Sequence, residues 1–197
     1  KNLNGERLPN AGELTDRCRS LLEMRMKLIP WLYAAYYDYY EKGIPPIRPL
    51  VLDFPQDMTA RPIYDEYLLG NGLLAAPVLF GHGDVRRIWL PEGFWYEYAT
   101  GIRIEGGQWI ERQTEPGDIP LFVREGTLLV LAEPEQYVGR DTCFRLHLTA
   151  YGEGACSVTL ISDDGVSNDY RDGVKKVCFV ATDNELTVEE TDERYRV

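Results

Sequence analysis

Histidine, cysteine and methionine are scarce in this chain of 197 residues, with two, four and three copies. The cysteines, Cys18, Cys143, Cys156 and Cys178, form no CxxC pair, so a zinc ribbon or thioredoxin-like motif is excluded. Cys156 and Cys178 fall in apolar, strand-like stretches and read as small core residues rather than a disulfide. His82 and His147 leave little material for a two-histidine zinc site, and no metal ligands are assigned. His147, between Leu146 and Leu148, is expected on the other face of a strand from them. Basic residues are also in deficit: 21 Lys and Arg against 32 Asp and Glu give a net charge of −11. A surface of that sign repels phosphate backbones and anionic lipid, so neither a nucleic-acid nor a membrane partner is expected. No apolar run reaches the roughly 18 residues that a membrane helix needs. The opening Lys1-Asn2-Leu3-Asn4 has no initiator Met, apolar signal core or Arg-rich transit character. We expect a processed chain or a piece of a longer protein, with cytoplasmic and periplasmic or secreted settings equally open.

What is present is ordinary for a globular fold: 44% hydrophobic residues, 18 glycines and 12 prolines. Residues 13–42 carry one apolar stripe at three- and four-residue spacing, through Leu14, Cys18, Leu21, Leu28, Leu32 and Tyr36. This predicts a long helix, kinked or broken at Pro30 and stopped at Gly43 before Pro45 and Pro46. From Ile47 the period becomes strand-like, with runs at 47–54, 68–80, 85–90, 94–99, 103–104, 109–112 and 121–131. Turn signals such as Pro91-Glu92-Gly93 and Gly106-Gly107 separate them. After Glu133-Pro134-Glu135-Gln136, a linker by composition, further runs cover 143–151, 155–162, 174–181 and 185–188. The expected fold is mainly β, antiparallel sandwich units behind a long N-terminal helix.

Several segments then fall in a particular order. They include Arg25-Met-Lys-Leu-Ile-Pro-Trp-Leu-Tyr33, Gly43-Ile-Pro-Pro-Ile-Arg-Pro-Leu50, Phe54-Pro-Gln-Asp57 and Asp65-Glu-Tyr-Leu-Leu-Gly70. Leu73-Leu-Ala-Ala-Pro-Val78, Trp89-Leu-Pro-Glu-Gly-Phe-Trp95, Gly106-Gly-Gln-Trp109 and Ile119-Pro-Leu-Phe-Val-Arg-Glu-Gly126 follow. In order and spacing they resemble the C-terminal region of glycoside hydrolase family 31, and Asp163-Asp-Gly165 with Asp169-Tyr170 resembles a hairpin of its distal domain. The resemblance implies three parts. Residues 1–46 would hold the last helix of a (β/α)8 catalytic barrel, 47–133 a proximal β-sandwich, and 138–197 a distal β domain. It also implies a retaining α-glucosidase or α-xylosidase that needs no cofactor and meets its oligosaccharide or α-glycoside substrate in the barrel. Retention requires two carboxyl groups about 5 Å apart. The family's aspartate motifs do not occur in this chain, so no catalytic residue is assigned here and the substrate-binding residues stay unknown.

Other chemistry has to be weighed against that. Asp53 with Asp57, or Asp65 with Glu66, could supply a carboxylate pair. Asp57 reads better as a turn residue bonding its own backbone. Neighbours in extended chain, such as Asp65 and Glu66, are expected to point apart. Arg48, in an apolar stretch, calls for an acidic partner, and Asp53, Asp57 and Asp65 are the candidates. Trp89, Trp95, Tyr96, Tyr98 and Trp109 could form a sugar platform or fill a core. Tyr33, Tyr36, Tyr37, Tyr39 and Tyr40 surround the helix and suit packing against a large partner. Asp163, Asp164, Asn168, Asp169 and Asp172 invite calcium but lack the spacing of the helix-flanked loop, and Asp-Asp-Gly reads first as a turn. Two other functions compete, a stand-alone carbohydrate-binding β-sandwich module and a small hydrolase using these carboxylates. Without a barrel, the helix stripe is expected to drive self-association or to fold back onto the sandwich.

Overall fold

The computed structural model describes residues 11–79, 85–115, 117–139, 141–165, 167, 175–182, 185–189 and 195–196. His82, Asn168, Asp169 and Asp172 lie outside them. The N-terminal stripe yields two helices, α1 (Ala11–Lys27) and α2 (Ile29–Lys42), rather than one. The break falls at Leu28, and Pro30 sits in the first turn of α2, where its missing N–H costs no ladder bond. Gly43, at φ 70°, closes α2 by donating its N–H to the Tyr39 carbonyl. No described helix is long and apolar enough to cross a membrane.

The run expected as a strand over 47–54 divides into β1 (Ile47–Pro49) and a helical turn, α3 (Leu50–Asp53). That turn buries Leu50 completely and brings Asp53 back to Arg48. The next strands are β2 (Tyr67–Leu69), β3 (Leu73–Ala75), β4 (Val85–Leu90), β5 (Phe94–Glu97), β6 (Arg103–Glu105) and β7 (Gln108–Gln113). The apolar run 121–131 is two strands, β8 (Leu121–Arg124) and β9 (Thr127–Ala132), separated by Glu125 and Gly126. Gly126, at φ 82°, turns the chain between them without a Cβ clash. Then come β10 (Phe144–Tyr151), β11 (Cys156–Ser162), β12 (Lys175–Thr182), β13 (Glu185–Val188) and β14 (Tyr195–Arg196).

The fold is mainly β. A six-stranded antiparallel sheet has the order β1-β2-β3-β8-β5-β6, and β4 and β7 form a separate antiparallel ribbon. Alternation along β2, β3 and β8 sends Leu68, Leu74 and Phe122 into a core with Ile88, Leu90 and Trp95. Leu73 and Val123 point the other way, against Leu28 and Trp31 of the helix pair. Because both faces are covered, β3 is buried at every position and shows no polar alternation. Downstream, β14-β10-β9 and β11-β12-β13 are two three-stranded sheets, antiparallel except for the β10–β14 pairing. Leu128, Val130, Phe144 and Leu146 of the first meet Leu160, Val177 and Phe179 of the second in one core. The helix pair folds back onto the sheets: Leu28, Trp31 and Ala35 are buried, and Trp31 Nε1 donates to the Leu69 carbonyl at 3.0 Å.

Candidate functional site

The carboxylates proposed from sequence are engaged in holding loops. Arg48, 5% exposed, donates through Nε and Nη2 to both oxygens of Asp53 at 2.6 and 3.0 Å. Its other bonds go to the carbonyls of Pro45 and Gly70 and to the Asn71 side-chain oxygen. One guanidinium thus ties the lead-in, α3 and the β2–β3 turn together. Asp57 accepts from the backbone N–H groups of Thr59 and Ala60 through Oδ1 and from Trp89 Nε1 at 2.7 Å through Oδ2. It is the turn residue expected, with an added long-range bond.

Asp65 and Glu66 do not point apart. Both approach Arg86 Nη2, at 3.0 and 3.8 Å, because the segment before β2 is not regular strand. Arg86 sits on β4 and is 4% exposed, yet nothing in its sequence surroundings flags it. Glu66 is buried beneath the ribbon and accepts the Trp89 N–H on both carboxylate oxygens. Burial pushes its pKa up to about 7, against the opposing pull of the Trp89 N–H and the Arg86 charge. A shifted buried acid can mark a reactive site, but this one is 1% exposed and spends both oxygens on the Trp89 backbone N–H.

The aromatic set is mostly core. Trp95 is fully buried and donates to the Pro91 carbonyl, and Trp89 is 9% exposed. Tyr96 and Tyr98 are half-buried. Trp109 reaches the surface, but it is tilted 58° to Trp89 and the Arg87 guanidinium lies 4.5 Å from its ring centre. Coplanar exposed rings for sugar stacking are therefore not formed by this set. His147 faces away from Leu146, toward Glu133, at 3.7 Å. Cys156 and Cys178 are free thiols. Asp163 and Asp164 cap their own turn by accepting the Gly165 and Ser167 N–H groups.

Recesses on the described surface that could admit a molecule include the following. A groove of about 530 Å³ between α1 and the six-stranded sheet is lined by Leu21, Met24, Tyr67 and Leu69. A cleft of about 410 Å³ between α2 and β11 is more polar, with Asp38, Glu41, Asn71 and Lys176. The third, about 270 Å³, lies where β5 and β7 end beside residues 118–121, and it gathers Glu97, Tyr98, Arg112 and Thr114. Sequence reasoning missed this grouping because three separate short segments, 97–99, 112–114 and 118–121, assemble it.

Residues 43–129 match the family model described as Glycosyl hydrolase family 31 C-terminal domain. The chain carries the C-terminal domain of glycoside hydrolase family 31. Among curated proteins, the 1,6-alpha-glucosyltransferase of Sporosarcina globispora is 33% identical over 171 residues, 84% of this chain and 13% of its own length. The family 31 alpha-xylosidase of Xanthomonas citri superposes with a TM-score of 0.82 at 30% identity, covering 96% of this chain and 21% of that one. The family 31 dextranase of Flavobacterium johnsoniae, solved with isomaltotriose, gives 0.81 at 28% identity, with 89% and 22% coverage. The chain therefore spans less than a quarter of the relatives it matches. Likeness to family 31 structures extends beyond residues 43–129 into the helices and the later sheets.

Proposed function

We propose that this chain is the C-terminal portion of a retaining α-glycosidase whose catalytic aspartates lie outside these residues, and that it buttresses the catalytic barrel. Residues 47–133 would be the proximal and 138–197 the distal β domain, with α1 and α2 as the closing helix of the barrel. The observation that carries this reading is the partial span: the match runs over 171 residues, 84% of this chain, yet corresponds to only 13% of the first relative. Two features support it. Asp53, Asp57, Asp65 and Glu66 are each committed to backbone or guanidinium partners inside the fold. In addition, Tyr36, Tyr39 and Tyr40 of α2 are exposed by 55%, 54% and 53%, an aromatic face suited to a large neighbour.

The substrate would be an α-glucoside or α-xyloside. A second reading, glucosyl transfer, is favoured by the activity named for the Sporosarcina relative. The same covalent glycosyl-enzyme yields hydrolysis when water attacks it and transfer when a sugar hydroxyl does. The test is turnover of aryl α-D-glucoside and aryl α-D-xyloside, with product analysis, by this chain and by a longer protein that contains it. Turnover by the longer protein alone is the expected result and names the sugar. Turnover by the 197 residues alone contradicts the proposal.

The tyrosine face has its own test. Without a barrel to cover it, the chain is expected to self-associate through α2. Light scattering should report a dimer that becomes a monomer in the double variant Tyr36→Lys, Tyr39→Lys, whose positions are neighbours one helical turn apart. A wild-type monomer contradicts this use of the face.

A further inference from the structure

The β4–β7 ribbon is held to the molecule by a corner and a latch. Among the described residues no ladder pairing joins it to the six-stranded sheet that it covers. At one end its strands run on into the β5–β6 pair through Pro91-Glu92-Gly93 and Gly106-Gly107. There Gly93 and Gly107 take φ of 113° and 74°, and Gly107 donates its N–H to the Leu90 carbonyl at 2.7 Å. A Cβ on Gly106 would fall 1.9 Å from the Pro91 carbonyl oxygen, so the two crossings lie against each other. Glycine is the residue that lets both bend sharply at one place.

Away from that corner, acids hold the ribbon from below. Glu66, 1% exposed, accepts the Trp89 N–H at 3.0 and 3.2 Å, and Asp57 accepts Trp89 Nε1 at 2.7 Å. Arg86, toward the other end of β4, donates to the Asp65 carbonyl at 3.1 Å. It also lies 3.0 Å from the Asp65 carboxylate and 3.8 Å from that of Glu66. Arg112, on the facing strand, is bonded to Glu97. Among the described residues, two carboxylates therefore meet one guanidinium under the ribbon. An unmatched buried carboxylate keeps its full desolvation cost, so such a set is most stable with a proton on the more buried acid. That acid is Glu66, whose side chain is 0% exposed against 16% for Asp65. We propose that the ribbon is a proton-gated strap: with Glu66 neutral it is latched over the sheet, and with Glu66 ionised it lifts about the glycine corner and uncovers Trp89 and the core beneath. Desolvation, which lifts the Glu66 pKa to about 7, sets the range in which the latch works. Lifting returns Glu66 to water and its ordinary 4.5, so opening grows as pH rises from 4.5 and levels off above 7.

The experiment is native-state hydrogen exchange of the full chain, read amide by amide by NMR over a series of pH values and corrected for the intrinsic exchange rate. The opening constant of the β4 and β7 amides should rise roughly thirtyfold between about pH 5.5 and about pH 8, the ratio required by a pKa of about 7 when latched and 4.5 when open. Low urea should leave ribbon exchange nearly unchanged while speeding that of β3 and β8, because a local opening exposes little surface. Glu66→Gln keeps an acceptor for the Trp89 N–H without a charge, and it should remove the pH dependence of opening. Ribbon amides that share the opening free energy and urea dependence of β3 and β8 would show release only by global unfolding, and would overturn the strap. So would an opening constant that does not rise with pH, or one that rises as steeply in Glu66→Gln. Should that variant not fold, the wild-type pH and urea series decide the matter alone.

Discussion

The central strand β3 of the six-stranded sheet and the edge strand β13 of the β11–β12–β13 sheet are buried to very different degrees. β3 is buried at all its positions, between the ribbon on one side and the helix pair on the other. β13 is exposed at all of its positions. The charges follow the same division. The Arg86 and Arg48 side chains are only 4% and 6% exposed where they meet Asp65 and Asp53, whereas in the Lys176–Glu41 pair that joins the outer sheet to α2 both side chains are more open, at 47% and 32%. A charge removed from water must be matched inside, so the buried cluster is over-determined; a solvated pair is free to exchange with water.

The sharpest way to break that contrast is to remove one cation from each region. At pH 8, where Glu66 is ionised, Arg86→Met removes the buried cation beside two carboxylates and should cost about 3–5 kcal/mol by urea denaturation. Lys176→Met should cost under about 1 kcal/mol. Equal losses would erase the distinction.

The next effect is on pH. Glu66 has a folded pKa of about 7 against an ordinary 4.5, so between those values the folded chain holds a proton that the unfolded chain releases. The associated stability is complete below pH 4.5 and is lost as pH rises through 7, a change of about 3 kcal/mol. Glu66→Gln should flatten this slope while leaving the rest of the pH profile in place, and an unchanged slope would assign it to other groups. The smallest effect belongs to the outer edge. Leu186→Thr in β13 should change stability by less than about 0.5 kcal/mol, and β13 amides should exchange with solvent sooner than those of β3 and β8. Slow exchange in β13 would show a covered sheet.

Local features of this architecture were legible in the sequence. Gly43 as a helix stop, Asp57 as a turn acceptor and Arg48 with an acidic partner all depend on residues close in the chain, where spacing and side-chain chemistry act directly. Strand β13 was read with its observed limits, 185–188. Features set by distant partners were not legible. Glu66 meets the Trp89 N–H and Arg86 across the ribbon, and no local pattern pairs residues that far apart. The helix break was placed at Pro30 but falls at Leu28, because a proline is accommodated in the first turn of the following helix. The run 47–54 reads as a strand from its apolar residues alone, but burial of Leu50 and the Arg48–Asp53 bond favour a helical turn over 50–53. The recess around Thr114 was invisible for the same reason as the Arg86 cluster, since three separate segments build it.

The central claim, that the catalytic carboxylates lie outside this chain, is tested most directly by trapping the nucleophile. A longer protein containing the chain would be treated with an α-configured cyclitol epoxide, which esterifies the nucleophile of a retaining glycosidase. Peptide mapping should then place the adduct on an aspartate outside the 197 residues, with none on this chain. An adduct on Asp53, Asp57 or Asp65 would contradict the account.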